Sequence, residues 1–464
     1  MRAILGGVAA MVLVGSLVVA SADCGGSTVS ASKCTPGASV ACTGPGGCVG
    51  GQVCSSDGSG YGSCVCGSSS SGSGGSSGGS GGGSGGGSGG GSGGGSGGGS
   101  SGGADSCANA SNECILPPPA PTGGVAAATS HNYAIHTLYM GDTDRTGVAN
   151  ASAWMAYGYN LDDRVTTKAS TDVCTLAAGA SKTTQTDGNG GIDNSFGENI
   201  LPIFITTAGS DFSQEINNAL DEGHLTYTFY VNGFDDSAGN TTSAIGLTGI
   251  FLAGGNYADE NNGAAPAWDT TTRWPILPTL MNGCSPTTGC GAGCVYGSAA
   301  GACPVNPVTA ATVRFPSAYQ AGGTFVNSAS PSVGLPLSLG AFLPLDVRAA
   351  IVTFQPKAPG SVTNGTIAGV LVTTELVTAL QAMAGNISTS LCSGSAFQSI
   401  AQQIEQASDI VVDLTSGAVS NFAGTGCNAI SIGLGFEGTE IAAPTPSSIE
   451  AAVPAAPNPC ADGG

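Results

Sequence analysis

Residues 67–103 contain only glycine and serine, mostly as repeats of GGGS. Such a segment has no apolar surface to bury, and glycine loses more backbone entropy on ordering than any other residue. The sequence therefore predicts a disordered, flexible linker with a root-mean-square reach of roughly 33 Å. The linker separates a small cysteine-rich module, residues 24–66, from a globular body, residues 104–445, which is followed by a Pro/Ala-rich C-terminal tail, residues 446–464.

The N-terminus has the pattern of a secretory signal peptide. Arg2 precedes an apolar run over residues 4–20, and small residues follow, which predicts a signal peptide over residues 1–23. Cleavage after the small residues would release a soluble protein, lipid modification of Cys24 would anchor it as bacterial lipoproteins are anchored, and an uncleaved membrane anchor is the third alternative. The chain has 17 cysteines, and lipidation of Cys24 would leave an even number to pair, which favours the lipid anchor.

The remaining cysteines predict disulfide bonds, because an exported chain folds in an oxidising compartment. The small module has too few apolar residues for a core, so we expect disulfide bonds to stabilise it. The cysteine spacing does not determine which cysteines pair. Zinc is the alternative there, but the module has no C-x-x-C pair and no nearby histidine. The cysteines expected to pair are Cys34, Cys42, Cys48, Cys54, Cys64 and Cys66 in the module, Cys107 with Cys114, two short bridges among Cys284, Cys290, Cys294 and Cys303, and two longer ones among Cys174, Cys392, Cys427 and Cys460.

The charge of the chain excludes two classes of partner. Charged residues are 9% of the sequence and the net charge is −20, with the few basic residues scattered. Binding to nucleic acid or to anionic lipid needs a concentrated positive surface, which this chain lacks. We therefore expect no nucleic-acid partner, and contact with a membrane only through an N-terminal lipid anchor.

The body alternates apolar and polar residues over short segments rich in Val, Ile, Thr, Tyr and Phe, which is typical of strands. The predicted strands are residues 134–140, 200–206, 225–232, 244–252, 312–315, 335–343, 347–354, 409–413 and 429–436. Apolar residues at helical spacing predict helices over residues 211–222, 374–384 and 394–407. Because helices do not alternate regularly with strands, we expect a mainly β fold with a few helices, arranged as a β-sandwich or jelly roll.

The glycine-rich loop DGNGGIDN, which starts at Asp187, suits a hard cation. Short oxygen side chains alternate with glycine, and Ca²⁺ binds about six to eight oxygens. The predicted ligands are Asp187, Asn189, Asp193, Asn194 and Glu198. The loop is not an EF-hand, because Ile192 stands where that motif has glycine. Asp162 or Asp163 would complete a calcium site by folding beside the loop, and a tight turn without an ion is the alternative.

Two stretches carry a resemblance to known sequences. They are CTPGASVACTGPGGCVGGQVCSSDGSGYGSCVC in the module, and LYMGDTDRTGVANASAWMAYGYNLDD followed by DGNGGIDNSFGENILP in the body. Both are similar to uncharacterised Cys-rich, lipoprotein-like secreted proteins of myxobacteria. The resemblance implies a bacterial envelope setting and carries no assigned activity.

Motifs for nucleophilic catalysis are missing from the sequence. The three histidines, His131, His136 and His224, belong to no H-E-x-x-H motif, and a G-x-S-x-G pattern occurs only in the linker. We therefore expect a non-catalytic extracellular or cell-surface protein, which displays a calcium-stabilised β-rich domain for binding an extracellular glycan or protein. The alternatives are a secreted polysaccharide hydrolase that uses acidic residues and a purely structural envelope protein.

Overall fold

The computed structural model describes the chain in two units. The described residues are 39–43, 49–53, 65–66, 105–107, 114–208, 212–285, 287–328, 334–339, 343–387, 392, 395–451 and 460. The predicted signal peptide, Cys24, the linker and the cysteine pairing of the small module lie outside these residues. In the first unit, β1 (Ser39–Thr43), β2 (Val49–Val53) and β3 (Val65–Cys66) form an antiparallel sheet in that order.

The second unit contains the remaining elements. Its strands are β4 (Asp105–Ser106), β5 (Ser130–Tyr139), β6 (Arg164–Val165), β7 (Tyr227–Asn232), β8 (Ala244–Ala253), β9 (Val313–Ala321), β10 (Thr324–Val326), β11 (Leu335–Leu339), β12 (Leu343–Ala358), β13 (Ser361–Val372), β14 (Val411–Val412), β15 (Val419–Ser420) and β16 (Ala429–Glu440). Its α-helices are α1 (Leu201–Ala208), α2 (Phe212–Asp221), α3 (Tyr257–Glu260), α4 (Pro307–Ala310), α5 (Thr373–Ile387) and α6 (Ser395–Gln406).

Eight of these strands form one closed antiparallel barrel. The strand order is β10-β9-β8-β7-β5-β16-β13-β12, and β10 pairs with β12 as well as with β9, which closes the ring. Strand β11 adds to β12 outside the ring. The predicted mainly β fold with a few helices is confirmed. The structure has one closed sheet where we predicted a sandwich or jelly roll. The short strand β10 pairs with a strand on each of its sides and so closes the ring.

The interior of the barrel is a packed aromatic core. Five phenylalanine side chains in it are at most 1% exposed, those of Phe229, Phe251, Phe325, Phe354 and Phe436. The ring centroids of Phe325 and Phe354 lie 4.5 Å apart, and those of Phe229 and Phe436 lie 5.5 Å apart. An eight-stranded barrel is just wide enough for side chains to fill. Ligand sites are therefore expected at its ends and on its outer face.

Helices close one end of the barrel, which we call the helical end. The three predicted helices are confirmed as α2, α5 and α6, and their apolar faces join the barrel core. The predicted strand over residues 200–206 is wrong, because Leu201–Ala208 is helical. Leu201 and Phe204, three residues apart, both pack against the core, and this tertiary packing outweighs the β propensity of the segment.

Strand β13 (Ser361–Val372) was not predicted from the sequence. Its Asn364-Gly365 pair is a typical hairpin turn signal. Here Asn364 has a φ of +51°, and the register of pairing with β16 shifts between Val362 and Gly365. The pair therefore forms a β-bulge, and the strand continues through it.

The predicted disulfide bonds of the body are confirmed. Cys107 pairs with Cys114, and the Gly-rich excursion carries the two expected short bridges. The longer bridges join Cys174 to Cys427, at a sequence separation of 253, and Cys392 to Cys460. Within the described residues, no helix is both long and apolar enough to cross a membrane.

We expect the Cys174–Cys427 bond to stabilise the barrel more than the Cys284–Cys290 bond does. The two bonds close loops with sequence separations of 253 and 6 residues. The chain-entropy model gives about 5.5 and about 2 kcal/mol for such loops, because the longer loop removes more freedom from the unfolded chain. Urea unfolding of the C174S/C427S and C284S/C290S double variants measures both losses. Equal losses would show that loop length does not decide the effect.

Candidate functional site

Four buried or half-buried carboxylates lie together on the outer side of the barrel. We call Asp162, Asp187, Asp193 and Asp409 the aspartate group. Each of the first three is held by a loop between β5 and α1, whereas Asp409 precedes β14. Asp162, Asp193 and Asp409 are 9%, 3% and 7% exposed, so their side chains have little access to water.

Backbone hydrogen bonds position every carboxylate of the aspartate group. The backbone N–H of Leu161 donates to Asp193 Oδ2 at 2.7 Å, and that of Arg164 donates to Asp162 Oδ1 at 2.9 Å. The N–H of Thr166 donates to Asp187. Asp409 accepts hydrogen bonds from both the N–H and the hydroxyl of Ser431, which lies on β16. The four side chains thus join two loops to the barrel wall.

The loop that contains Tyr157 can approach the barrel closely because β16 has a glycine at the point of contact. A Cβ atom on Gly433 would lie 2.1 Å from the carbonyl oxygen of Tyr157, a distance that no side chain tolerates. Next to this contact, the Asn194 amide donates to the carbonyl oxygens of Tyr157 and Gly433, both within 3.1 Å. Its Oδ1 accepts the N–H groups of Gly197 and Gly433. Asn194 therefore fastens the loop to the sheet.

Burial and mutual repulsion raise the pKa values of the aspartate group. Burial raises the pKa of Asp187 to about 9, and the charges of Asp162, Asp409 and Glu198 add to the shift. Burial likewise raises the pKa of Asp409 to about 7 and that of Asp162 to about 6, although Arg164 lowers the latter. The pKa of Asp193 is well above its usual range for the same reasons. Near neutral pH, the group holds protons unless a cation replaces them.

The aspartate group has unused capacity to bind a ligand. Asp162 Oδ2 is buried and makes no hydrogen bond of normal length among the described residues, although the Asn421 side chain is close enough to lower the Asp162 pKa. The hydroxyl of Thr166, which is 1% exposed, is also without a partner there. In the described part of the chain, no three of these carboxylates place oxygens within 4.8 Å of one another. A bound ion would have to draw them closer.

The structure brings together part of the site that the sequence predicted. Asp187 and Asp193 are in the aspartate group, Asp162 lies beside them, and Asp163 is exposed. Glu198 is half-buried, burial raises its pKa to about 7, and its charge reaches Asp187.

The other predicted ligands are less well placed. Asn189 is exposed on the turn, and Asn194 is fully occupied by backbone groups. Asp409 was missed because it is distant in the sequence. Its only signal is an acidic residue directly before an apolar segment, which many surface loops share.

A second candidate site is a cleft of about 800 Å³ at the helical end of the barrel. Its walls are mainly aliphatic and include Leu277, Leu280, Leu337, Leu345, Leu371 and Leu376. Five carboxylates line it, those of Asp259, Glu260, Asp346, Glu375 and Glu450. The cleft was not predicted, because strands and helices far apart in the sequence supply its walls.

Glu450 is the most deeply buried of the cleft carboxylates, at 7% exposure. Residues 448–450 run beside Ile276, whose carbonyl oxygen accepts the N–H of Glu450 at 2.9 Å. The carboxyl group then lies against Gly255. A Cβ atom on Gly255 would be 2.3 Å from this carboxyl group, so the contact requires glycine. Burial raises the pKa of Glu450 to about 7, and the charges of Glu260 and Asp259 add to the shift.

Comparison with known proteins does not assign the chain to a family. No protein-family model matches it, and no curated protein or solved structure shows significant similarity to it.

Without divalent cations, we expect the body to become less stable as the pH rises from about 5.5 to about 8.5. The folded pKa values of Asp162, Asp409 and Asp187, about 6, 7 and 9, exceed the unfolded value of 3.8, so the folded state binds more protons. That contribution is complete below the unfolded pKa and is lost as the pH passes the folded values. Thermal melts in EDTA should show a fall of roughly 5 °C.

The D187N variant tests whether the aspartate group causes this pH dependence. Asparagine cannot ionise, so the melting temperature of D187N should fall less steeply with pH than that of the wild type. Equal slopes for the two proteins would assign the dependence to other groups.

Proposed function

We propose that this chain is an exported, non-catalytic binding protein of the cell surface, whose ligand binds in the cleft at the helical end of the barrel. The cleft carries the proposal, because its volume of about 800 Å³ lies within the range of small-molecule and side-chain binding sites. The barrel interior is filled by aromatic rings, which leaves the cleft as the place for a ligand of this size.

The cleft favours a ligand that joins an apolar body to a positively charged group. Leucine side chains would cover the apolar part. Asp259, Glu260 and Glu450 would face the positive group, and no Lys or Arg lies within ion-pair distance of them in the described residues. A cation would relieve the repulsion that raises the Glu450 pKa. Of the two predicted partner classes, this chemistry favours a protein segment with a basic residue over a glycan.

The hydrolase alternative receives less support from the cleft. Glycoside hydrolysis needs two free carboxyl groups that face each other across the sugar. Asp346 and Glu375 are both bound to Arg348, at 2.9 and 3.1 Å. The other three, Asp259, Glu260 and Glu450, lie close enough together for the first two to raise the pKa of Glu450. No tryptophan lines the cleft among the described residues to stack on a sugar ring. Binding without catalysis therefore agrees better with the aliphatic walls.

Export is supported by the cysteines and by the sequence pattern of the N-terminus. Disulfide-bonded cysteines are typical of oxidising compartments, and five such bonds join the described residues. We further propose that Cys24 carries a lipid anchor, because its lipidation would leave an even number of the 17 cysteines to pair. The Gly/Ser linker would then hold the barrel away from the membrane.

We also propose that the aspartate group binds a structural Ca²⁺ ion. Asp162, Asp187, Asp193 and Asp409 would supply carboxylate oxygens, and Glu198 would approach from the side of Asp187. Ca²⁺ accepts flexible oxygen coordination, and its charge would offset carboxylates that otherwise repel one another. The buried Oδ2 of Asp162, which makes no hydrogen bond of normal length among the described residues, supports this assignment. The ion would fasten the two loops to the barrel wall and leave the cleft at the helical end free.

Competition binding tests the cleft. Nile red should bind the purified chain saturably, and decylamine should displace it at a concentration at least about 10-fold lower than decanol or decanoate, because only the amine is cationic. E450Q should reduce this preference, whereas E405Q, which changes an exposed glutamate of α6 outside the cleft lining, should not. Decanoate competing as well as decylamine would contradict the proposed ligand charge, and unsaturable Nile red binding would contradict the binding site itself.

Calcium titration tests the aspartate group. At about 100 times its dissociation constant, Ca²⁺ should stabilise the fold by about 2.7 kcal/mol and raise the melting temperature by roughly 5 °C over EDTA. D409N should abolish this response. The matched control D413N alters an exposed carboxylate that accepts the N–H of Thr415 in a nearby turn and should keep the response. A melting temperature that calcium leaves unchanged in the wild type would overturn the calcium proposal.

A further inference from the structure

A third group of side chains lies at the end of the barrel opposite the cleft. His131 is near the start of β5, Glu440 is the last residue of β16, and Asp236 follows β7. These three strands are neighbours in the order β7-β5-β16. Glu440 on β16 pairs with Tyr133 on β5, and His131 on β5 pairs with Val231 on β7. These pairings bring the ends of the three strands together. Three segments distant in the sequence thus converge at one point.

The ligand atoms of these three side chains are within bonding range of a single ion. His131 Nδ1 lies 2.9 Å from Glu440 Oε1 and 3.6 Å from Asp236 Oδ2. One atom from each residue lies within 4.8 Å of both others, and no other trio of His, Cys, Asp or Glu meets this criterion in the described chain. Around tetrahedral zinc, with bonds of about 2.0–2.2 Å, ligand atoms are separated by roughly 3.4 Å. The Asp236–His131 distance matches this value, and the Glu440–His131 distance would open by about half an ångström.

Neighbouring groups hold this arrangement in place. The Tyr133 hydroxyl and the backbone N–H of Gly360 both donate to Asp236 Oδ2, each at 3.3 Å. The His131 ring stacks on Tyr133 with centroids 5.6 Å apart. Such hydrogen bonds commonly orient a metal-binding carboxylate, here that of Asp236.

The charge and burial of the trio also suit a divalent ion. The side chains of His131, Asp236 and Glu440 are only 12%, 20% and 19% exposed. Two carboxylates face one imidazole, and no Lys or Arg lies within ion-pair distance of them in the part of the chain that the structure describes. A protonated His131 would balance one negative charge, whereas a divalent ion on the neutral ring would balance both.

We propose that His131, Asp236 and Glu440 bind a divalent transition-metal ion of the Zn²⁺ class. One imidazole nitrogen with two carboxylate oxygens is a donor set that zinc and its neighbours accept. Three protein ligands leave the fourth tetrahedral position for water or for an exogenous ligand. This site is independent of the calcium proposal and of the cleft. The alternative is an ion pair in which protonated His131 bridges the two carboxylates.

Cobalt binding to the full chain tests the proposal, because Co²⁺ replaces Zn²⁺ and reports tetrahedral coordination by its visible absorption. After treatment with chelator and addition of excess Ca²⁺, the wild type should bind one Co²⁺ ion per chain, and Zn²⁺ should displace it. E440Q and D236N should each weaken Co²⁺ binding by more than about 100-fold, and Y133F by about 10-fold, because Tyr133 only orients Asp236. All variants should keep a cooperative thermal transition.

Two control variants distinguish this site from the aspartate group and from an isolated histidine on the surface. H136Q changes a histidine that faces one carboxylate, Asp221, at 3.2 Å, and it should bind Co²⁺ like the wild type. D187N changes the aspartate group and should also leave Co²⁺ binding intact. The proposal would be overturned if D187N abolished Co²⁺ binding while E440Q retained it. So would the absence of stoichiometric Co²⁺ binding, or a melting temperature that falls in E440Q but never responds to Zn²⁺ in the wild type, since both results identify an ion pair.

Discussion

Closure of the sheet by the short strand Thr324–Val326 is the constraint on which the rest of the fold depends. Phe325 and Val326 pair with β9 on one side and with β12 on the other. Because the ring is closed, the inward faces of eight strands share one interior, and phenylalanine rings fill it. Closure also gives the body two distinct ends and one continuous outer wall, and each carries a separate group of polar residues.

Uncompensated negative charge is the common property of these three places. The chain has a net charge of −20, and several of its carboxylates are buried where water cannot screen their charge. The aspartate group lies on the outer wall, Glu450 lies in the cleft, and Glu440 with Asp236 lies at the opposite end. Buried carboxylates without a partner take up protons or bind cations. The three proposals share this one principle, and each assigns a different cation: calcium, a cationic ligand group and a transition metal.

Local sequence patterns predicted most elements of the body, because periodicity and turn residues act over short distances. The segments predicted as helices around Ile216, Leu380 and Ile404 are helical, with these residues in the core. Failures occurred where packing outweighed local preference. Phe204 lies in a β-like segment that the core holds as a helix, and Asn364 marks a bulge where its local pattern indicates a turn. The candidate sites were predicted only where their ligands are close in sequence, as with Asp187 and Asp193.

The sequence by itself determined the mainly β class, the pairing potential of the body cysteines and the acidic character of the loop after Asp187. These properties follow from composition and spacing, which need no knowledge of the fold. Only the tertiary structure decided that the sheet closes, that Asp409 joins Asp187, and that His131 meets Asp236 and Glu440. Such contacts depend on strand register across the barrel, and register is set by packing of the whole interior rather than by any local pattern.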